Sequence, residues 1–527
     1  MRKTWNTVLL FVLVLAVLLG IWQLWQWACP EQTVQAEAEA DTPPVIANTL
    51  DEEGASVVAL SDEGISLSGL GVTASGSVVT ISYPGTYRVS GQLSQGQLVV
   101  DCGDFDGGVY IILDNASITC SDGPALYVKQ ADKTVVYLPD GTMNALQDGS
   151  DYRLDEGKNT ERGAGLYSTD DLEVQGNGRL TVTGMSADGI RSKDGLTISG
   201  GQITVYAADE ALQGSDYVDI TGGSLNLHAN GDGVATQKGD VTIAGGEVTI
   251  ASAGDGISSA AALTMTAGSV NIVTYGGADN YDLVAAQDIS AKGLKAVDIA
   301  ITGGDLQLNT ADDGIHGQKT VSLSHSQVAV QAGDDGIHAA LSLDISGGVV
   351  SVSQSYEAVE AERVTIADGL VTLDGTHKGI DAGEDGFAMT GGTVRVTAPR
   401  CLNADGGLTV ADGYITLVSD GSDAPIKCSQ GTVTGGTLVL CTVGDEQSVL
   451  EKAHIDPALL FTMPQQTEGQ SITVTDPAGN DLLSFALPQN TTALLVSSGA
   501  LCAGQNYTLT AGDYTTTLCL MTDGEIE

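Results

Sequence analysis

From residue 186 to 417 the chain repeats a short rhythm of apolar–polar–apolar triplets separated by turns. Leu196-Thr197-Ile198 is followed by Ile203-Thr204-Val205, and Val241-Thr242-Ile243 by Val248-Thr249-Ile250. Between paired triplets stands a Gly-Gly corner, at 200–201, 222–223, 245–246, 303–304, 347–348 and 391–392. Alternation of period two predicts strands with one face inward, and glycine marks the corners.

A third apolar position precedes each pair of triplets. It lies in the steps ADGI (187–190), DEAL (209–212), GDGV (231–234), GDGI (254–257), DDGI (312–315) and DDGI (334–337). Looser versions are AKGL (291–294), YEAV (356–359), HKGI (377–380) and PRCL (399–402). The steps recur every 21 to 23 residues, apart from one long interval between Gly256 and Gly293. Three strands and three turns in about 22 residues predict an all-β, parallel β-helix. A leucine-rich repeat needs a Leu/Asn pattern that is missing, and a propeller blade needs about twice the period.

Residues 51–440 are assigned to this β-helix. Residues 441–527, with SITVTDPAGNDLLSFALPQNTTALLVSS at 471–498, read as a small antiparallel β-rich cap. No amphipathic helix is expected in the repeats. The long interval holds VTYGGADNYDLVAAQDISA (273–291), read as an inserted loop whose Tyr275, Asp279, Tyr281 and Asp282 wall a groove.

The N-terminus changes the picture. Arg2 and Lys3 precede an apolar run from about Val8 to Trp27, with Trp22, Trp25 and Trp27 at its far end. That pattern predicts a signal anchor within residues 1–30, followed by an acidic linker at 31–50. It places the β-helix outside the cell, membrane-anchored through this helix only; secretion after signal cleavage is the alternative. The eight cysteines show no C-x-x-C pair, which argues against zinc. Cys102/Cys120, Cys428/Cys441 and Cys502/Cys519 are spaced for disulfides, and free buried thiols remain the alternative.

Composition excludes one partner class. With 67 acidic and 21 basic residues the chain carries a formal charge of −46, so no nucleic acid partner is expected. The acids fall partly in register. The residue before each step glycine forms a column that includes Asp255, Lys292, Asp313, Asp335, Glu357 and Lys378, and Asp312 and Asp334 double it. Stacked carboxylates about 4.8 Å apart repel by roughly 1 kcal/mol even in water. They need protons, interleaved cations or a metal, and oxygen-rich clusters suit Ca²⁺. The candidate calcium ligands are Asp255, Asp312, Asp313, Asp334, Asp335 and Glu357. Turn chemistry is the competing reading, with Asp capping amides and Gly at positive φ.

The residue after each inward Ile, Val or Leu makes an outward column. From Lys295 through His316, His338, Glu360 and Asp381 to Asn403 it is continuously polar, and these six are the candidate ligand-binding residues. A stripe with one polar side chain per coil suits an extended glycan; an ordinary solvated face is the alternative.

In order along the chain, GTYRVSGQLSQGQLVVD (85–101), DDLEVQGNGRLTVTG (170–184), ADGIRSKDGLTISGG (187–201), AKGLKA (291–296), DDGIHGQ, DDGIHA and SYEAVEA (355–361) resemble a bacterial family of exported carbohydrate-binding-domain proteins. The resemblance implies a calcium-binding, pectate-lyase-like, right-handed parallel β-helix that binds acidic or cellulosic polysaccharide without catalysis. It implies Ca²⁺ at Asp312, Asp313, Asp334 and Asp335. The chain departs from the family at Glu357-Ala358, where Glu-Gly is usual, and in its shorter inserted loop.

The expected function is therefore calcium-assisted, non-catalytic polysaccharide binding, with no catalytic residue assigned. A lyase using Ca²⁺ with Lys292 or Lys295 as base is one alternative, although stacked carboxylates raise a lysine pKa and weaken it as a base. A structural stalk or adhesin is the other.

Overall fold

The computed structural model describes residues 54–105, 107–150, 163–444, 449–451 and 454–520. The expected signal anchor and linker lie outside them, and no helix among the described residues is long and apolar enough to cross a membrane.

The chain winds into a β-solenoid whose coils pair in parallel along three ladders. The first ladder carries the glycine steps and stacks Leu166, Ile190, Leu212, Val234, Ile257, Leu294, Ile315, Ile337, Val359, Ile380, Leu402 and Ile426 in unbroken register. The second takes the first triplet of each pair, as in Gly195–Ile198 against Tyr217–Ile220. The third takes the second triplet, as in Gln202–Ala207 against Ser224–Ala229. In later coils one strand bends through all three ladders, as Ile337–Gln354 does. The inward residues form one continuous buried core from Val58 to Leu495.

The inserted segment differs from the expected loop. It contains a short helix, Tyr281–Gln287, built from the good helix formers of YDLVAAQ and closed by Asp288 in the left-handed region at φ 55°. Val284, Ala291 and Ala311 form a small core beneath it, with Tyr275, Tyr281 and Ile289 packed against them. Ile257 pairs directly with Leu294, so the insertion loops out without disturbing the ladder.

Parallel pairing runs on to Ile455–Asp456. The third ladder ends differently: Thr437–Thr442 pairs antiparallel with Thr491–Ser498, which pairs antiparallel with Ala458–Gln466. A four-stranded antiparallel sheet covers this end, and Phe461, Leu494 and Tyr507 share its separate core. The cysteines among the described residues are free thiols.

Two kinds of glycine divide the work of the coil. At the Gly-Gly corners the second glycine has positive φ, 96° at Gly201 and 86° at Gly246, which only glycine adopts freely. The competing turn reading gave the step glycines that same conformation, but Gly189, Gly233, Gly256, Gly314, Gly336 and Gly379 do not adopt it. A Cβ at Gly233 would lie 2.3 Å from Ile250 Cγ2 and 2.6 Å from the Gly256 carbonyl oxygen. Space inside the coil, not backbone freedom, selects glycine there.

The facing residue varies in step with it. Gly189, Gly233, Gly256, Gly314, Gly336 and Gly379 each meet a β-branched Val205, Ile250, Ile272, Val330, Val352 or Val396. In the three coils with Ala211, Ala358 or Cys401 at the step, the corresponding inward position of the third ladder is Leu227, Leu373 or Leu417. Leucine has no methyl on its Cβ and leaves room for one on the step residue. Gly293, with Leu308, departs from the pattern. The departure at Glu357-Ala358 is thus accommodated by Leu373.

Gly233→Ala should therefore destabilise the solenoid by about 1–3 kcal/mol through overpacking. Adding Ile250→Leu should recover part of that loss, as measured by a double-mutant cycle in denaturant. Strictly additive losses would refute the proposed pairing.

Candidate functional site

The six residues of the outward column come together as a stripe because the first ladder holds strict register. Lys295 pairs with His316, His316 with His338, His338 with Glu360, Glu360 with Asp381 and Asp381 with Asn403. The imidazoles of His316 and His338 stack with centroids 4.8 Å apart and planes 7° from parallel. The first five residues are half-buried and Asn403 is buried, which differs from a freely solvated face.

Beside the stripe runs the column before the glycines, and it is buried more deeply. Asp255 is 2% exposed and Asp313 5% exposed, so their charges require partners on the protein. Asp255 Oδ1 accepts hydrogen bonds from Ser290 Oγ at 2.7 Å and from the Lys292 amide at 2.9 Å, while Lys295 Nζ reaches Oδ2 at 2.9 Å. Lys292 Nζ donates to Asp312 at 2.9 Å and to Asp313 at 2.7 Å. Farther along, Lys378 bridges Glu357, at 2.8 Å, and Asp381. Asn403 Nδ2 donates to Asp381 Oδ1 at 2.6 Å. Interleaved lysines thus neutralise much of the acidic column.

The balance is uneven, and the protonation states follow it. Burial favours a neutral Asp313, yet its hydrogen bond with His316, 2.7 Å long, and the Lys292 ammonium hold its pKa down at about 2. His338 is pushed up to about 10 by hydrogen bonding to Asp335 and Glu360, the latter 3.0 Å away, so it is a cation at neutral pH. The same contact holds Glu360 at about 2. Asp335 is raised to about 7, first by burial. Asp334 is also raised, by burial and by the neighbouring Asp313 charge, even though Tyr281 Oη donates to it at 3.2 Å.

Two carboxylate groups bear on the calcium expectation. Asp312, Asp313 and Asp334 present oxygens within 4.8 Å of one another, as do Glu357, Glu360 and Asp381. Both groups offer the hard oxygen donors that Ca²⁺ takes. In the second, Lys378 already fills the cation's role. In the first, Lys292 hydrogen-bonds Asp312 and Asp313 while the Asp334 carboxylate receives only the Tyr281 hydroxyl among the described residues, so that group fits the ion better. Asp335 converges instead with His338 and Glu360; a protonated histidine there is a counter-ion and not a ligand. Asp255, engaged by Ser290 and Lys295, belongs to no such group among the described residues.

Of the four residues expected to wall a groove, Tyr281 reaches Asp334 and Asp279 accepts from Gln354 Nε2 at 3.3 Å. Tyr275 packs beneath the helix, and Asp282 is exposed. Reading the sequence for doubled acids passed over Tyr356 and His377, which continue the Asp312–Asp334 position into the next coils and stack with centroids 4.7 Å apart. Their position two residues before the step was the available signal. A third acid group, Asp188, Asp209 and Glu210, stands in the same columns but outside the candidate ligands, and there Asp188 is fully buried and salt-bridged to Arg191 at 3.1 Å.

The family model described as carbohydrate-binding domain-containing protein matches residues 75–336, about half of the chain. A carbohydrate-binding domain-containing protein of Acetivibrio thermocellus is 37% identical over 138 residues, covering 26% of this chain and 48% of that protein. The chain thus spans about half the length of the curated relative it matches. Among solved structures, a polysaccharide lyase-like protein from C. thermocellum, in a gadolinium derivative, is 29% identical. That match covers 47% of this chain and 99% of the other, with a TM-score of 0.42. Across residues 75–336, then, the chain matches the family of carbohydrate-binding domain-containing proteins that its repeat motifs resemble.

Proposed function

We propose that the solenoid binds an acidic polysaccharide without cleaving it, outside a bacterial cell to which the apolar run at 8–27 anchors it. The observation that carries this reading is the register of the stripe, one polar side chain per coil from Lys295 to Asn403, beside the group Asp312, Asp313 and Asp334. The carbohydrate-binding description of the matched family supports it. Lys295 and protonated His338 supply positive charge to uronate groups, and Glu360, Asp381 and Asn403 accept hydrogen bonds from hydroxyls. Asp312, Asp313 and Asp334 would hold Ca²⁺, which would supply positive charge for uronate carboxylates. Burial tends to lower the Lys292 pKa, but the adjacent Asp313 and Asp312 outweigh it and raise that pKa, which makes this lysine a poor base for β-elimination.

Calorimetric titration of the protein with polygalacturonate should show binding in Ca²⁺ that disappears with chelator. Asp334→Asn should weaken it at least tenfold, with no rise in unsaturated-uronate absorbance. Binding indifferent to chelator would remove calcium from the proposal, and a growing absorbance would make the protein a lyase.

The charge on His338 provides a separate check. Its pKa is raised from 6.5 to about 10 in the folded protein. Its stabilising contribution is therefore complete below pH 6.5 and fades as the pH climbs through 10. The Tm difference between the protein and its His338→Gln variant should shrink across that whole interval. A difference that vanished between pH 6 and 7 would mean that the Asp335 and Glu360 contacts do not hold the proton.

A further inference from the structure

The third ladder carries a surface of the opposite character. The middle outward position of each coil, from Ala145 through Thr181, Thr204, Asn226 and onward to Thr416, holds no carboxylate in any coil, although the chain has 67 acids. Over the four coils paired from Met143–Gln147 to Ser224–Ala229, the two flanking outward columns are free of acids as well. A shallow trough of about 560 Å³ lies on this stretch, lined by Arg179, Thr181, Gln202, Thr204, Ser224 and Asn226 among others.

The polar groups of the trough are available in a way that those of the acidic stripe are not. Arg179 Nε donates to Gln202 Oε1 at 3.1 Å, a contact that orients both side chains. The side chains of Thr181, Thr204, Ser224 and Asn226 make no hydrogen bond with any described residue, and all but Thr204 are exposed. Tyr206, 48% exposed, stacks on His228 with centroids 5.0 Å apart, in the next outward column of the same coils. Four coils spaced by about 4.8 Å extend roughly 14 Å, the length of about three pyranose rings.

We infer that this trough is a second, cation-independent binding site for an uncharged glycan. Paired hydroxyl and amide groups match the donor–acceptor pattern of sugar hydroxyls, and the exposed Tyr206 offers apolar contact to a sugar ring. The lack of carboxylates removes any need for a bridging metal. The site lies on a different ladder from the acidic stripe and stands or falls independently of it.

The test is calorimetry on the full chain with two uncharged probes, cellohexaose and xylohexaose, in the presence of chelator. At least one should bind, with affinity unchanged by Asp334→Asn and reduced at least tenfold by Asn226→Arg. Thr204→Val, which keeps the shape and removes the hydroxyl, should weaken binding severalfold and guards against misfolding of the arginine variant. Failure of both probes to bind would overturn the inference. So would binding that survives both trough substitutions or vanishes with chelator. Loss of polygalacturonate binding with neutral binding intact would count against the acidic stripe alone.

Discussion

Equivalent side chains in neighbouring coils stand about 4.8 Å apart, and the chain repeats that adjacency dozens of times. Whatever occupies a position must tolerate its own counterpart above and below. Apolar residues meet this condition without cost, so Ile315, Ile337 and Val359 stack into a continuous core. Carboxylates do not, and from Asp255 onward the acidic column has lysines threaded through it. Lys292 enters between Asp255 and Asp313, and Lys378 follows Glu357.

The same spacing shapes the interior. A step residue and an inward residue of the third ladder compete for one volume within each coil. β-Branched residues fill it from one side and require glycine on the other; leucine gives back enough space for Ala211, Ala358 or Cys401. Close packing therefore constrains the step as strongly as turn geometry constrains the Gly-Gly corner.

Around the solenoid, separate ladders present separate chemistries. The first concentrates acidic and basic groups that are already engaged with one another, so a ligand there must exchange existing contacts or enter with a cation beside Asp334, whose carboxylate receives only the Tyr281 hydroxyl among the described residues. Around Thr181, Thr204, Ser224 and Asn226 the third presents uncharged groups with unspent hydrogen-bonding capacity. One fold thus offers two kinds of polar surface, because each ladder's outward residues vary independently of the core behind them.

Much of this was legible in the residues. Period-two triplets and a 22-residue step establish a parallel solenoid, and counting from the step places Lys295, His316, His338, Glu360, Asp381 and Asn403 in one line. Those are consequences of repetition, which a sequence displays directly. Protonation and pairing are different. That His338 is a cation, that Asp255 is taken by Ser290 and Lys295, and that a helix at Tyr281–Gln287 brings a hydroxyl to Asp334 depend on side-chain directions and burial. The trough at Thr204 and Asn226 is likewise visible only once the coils are stacked. The sequence by itself determined which residues recur at each position of the coil, because strand alternation and turn length are local; only the tertiary structure decided which of those residues satisfy one another, because their partners lie a full coil or more away along the chain.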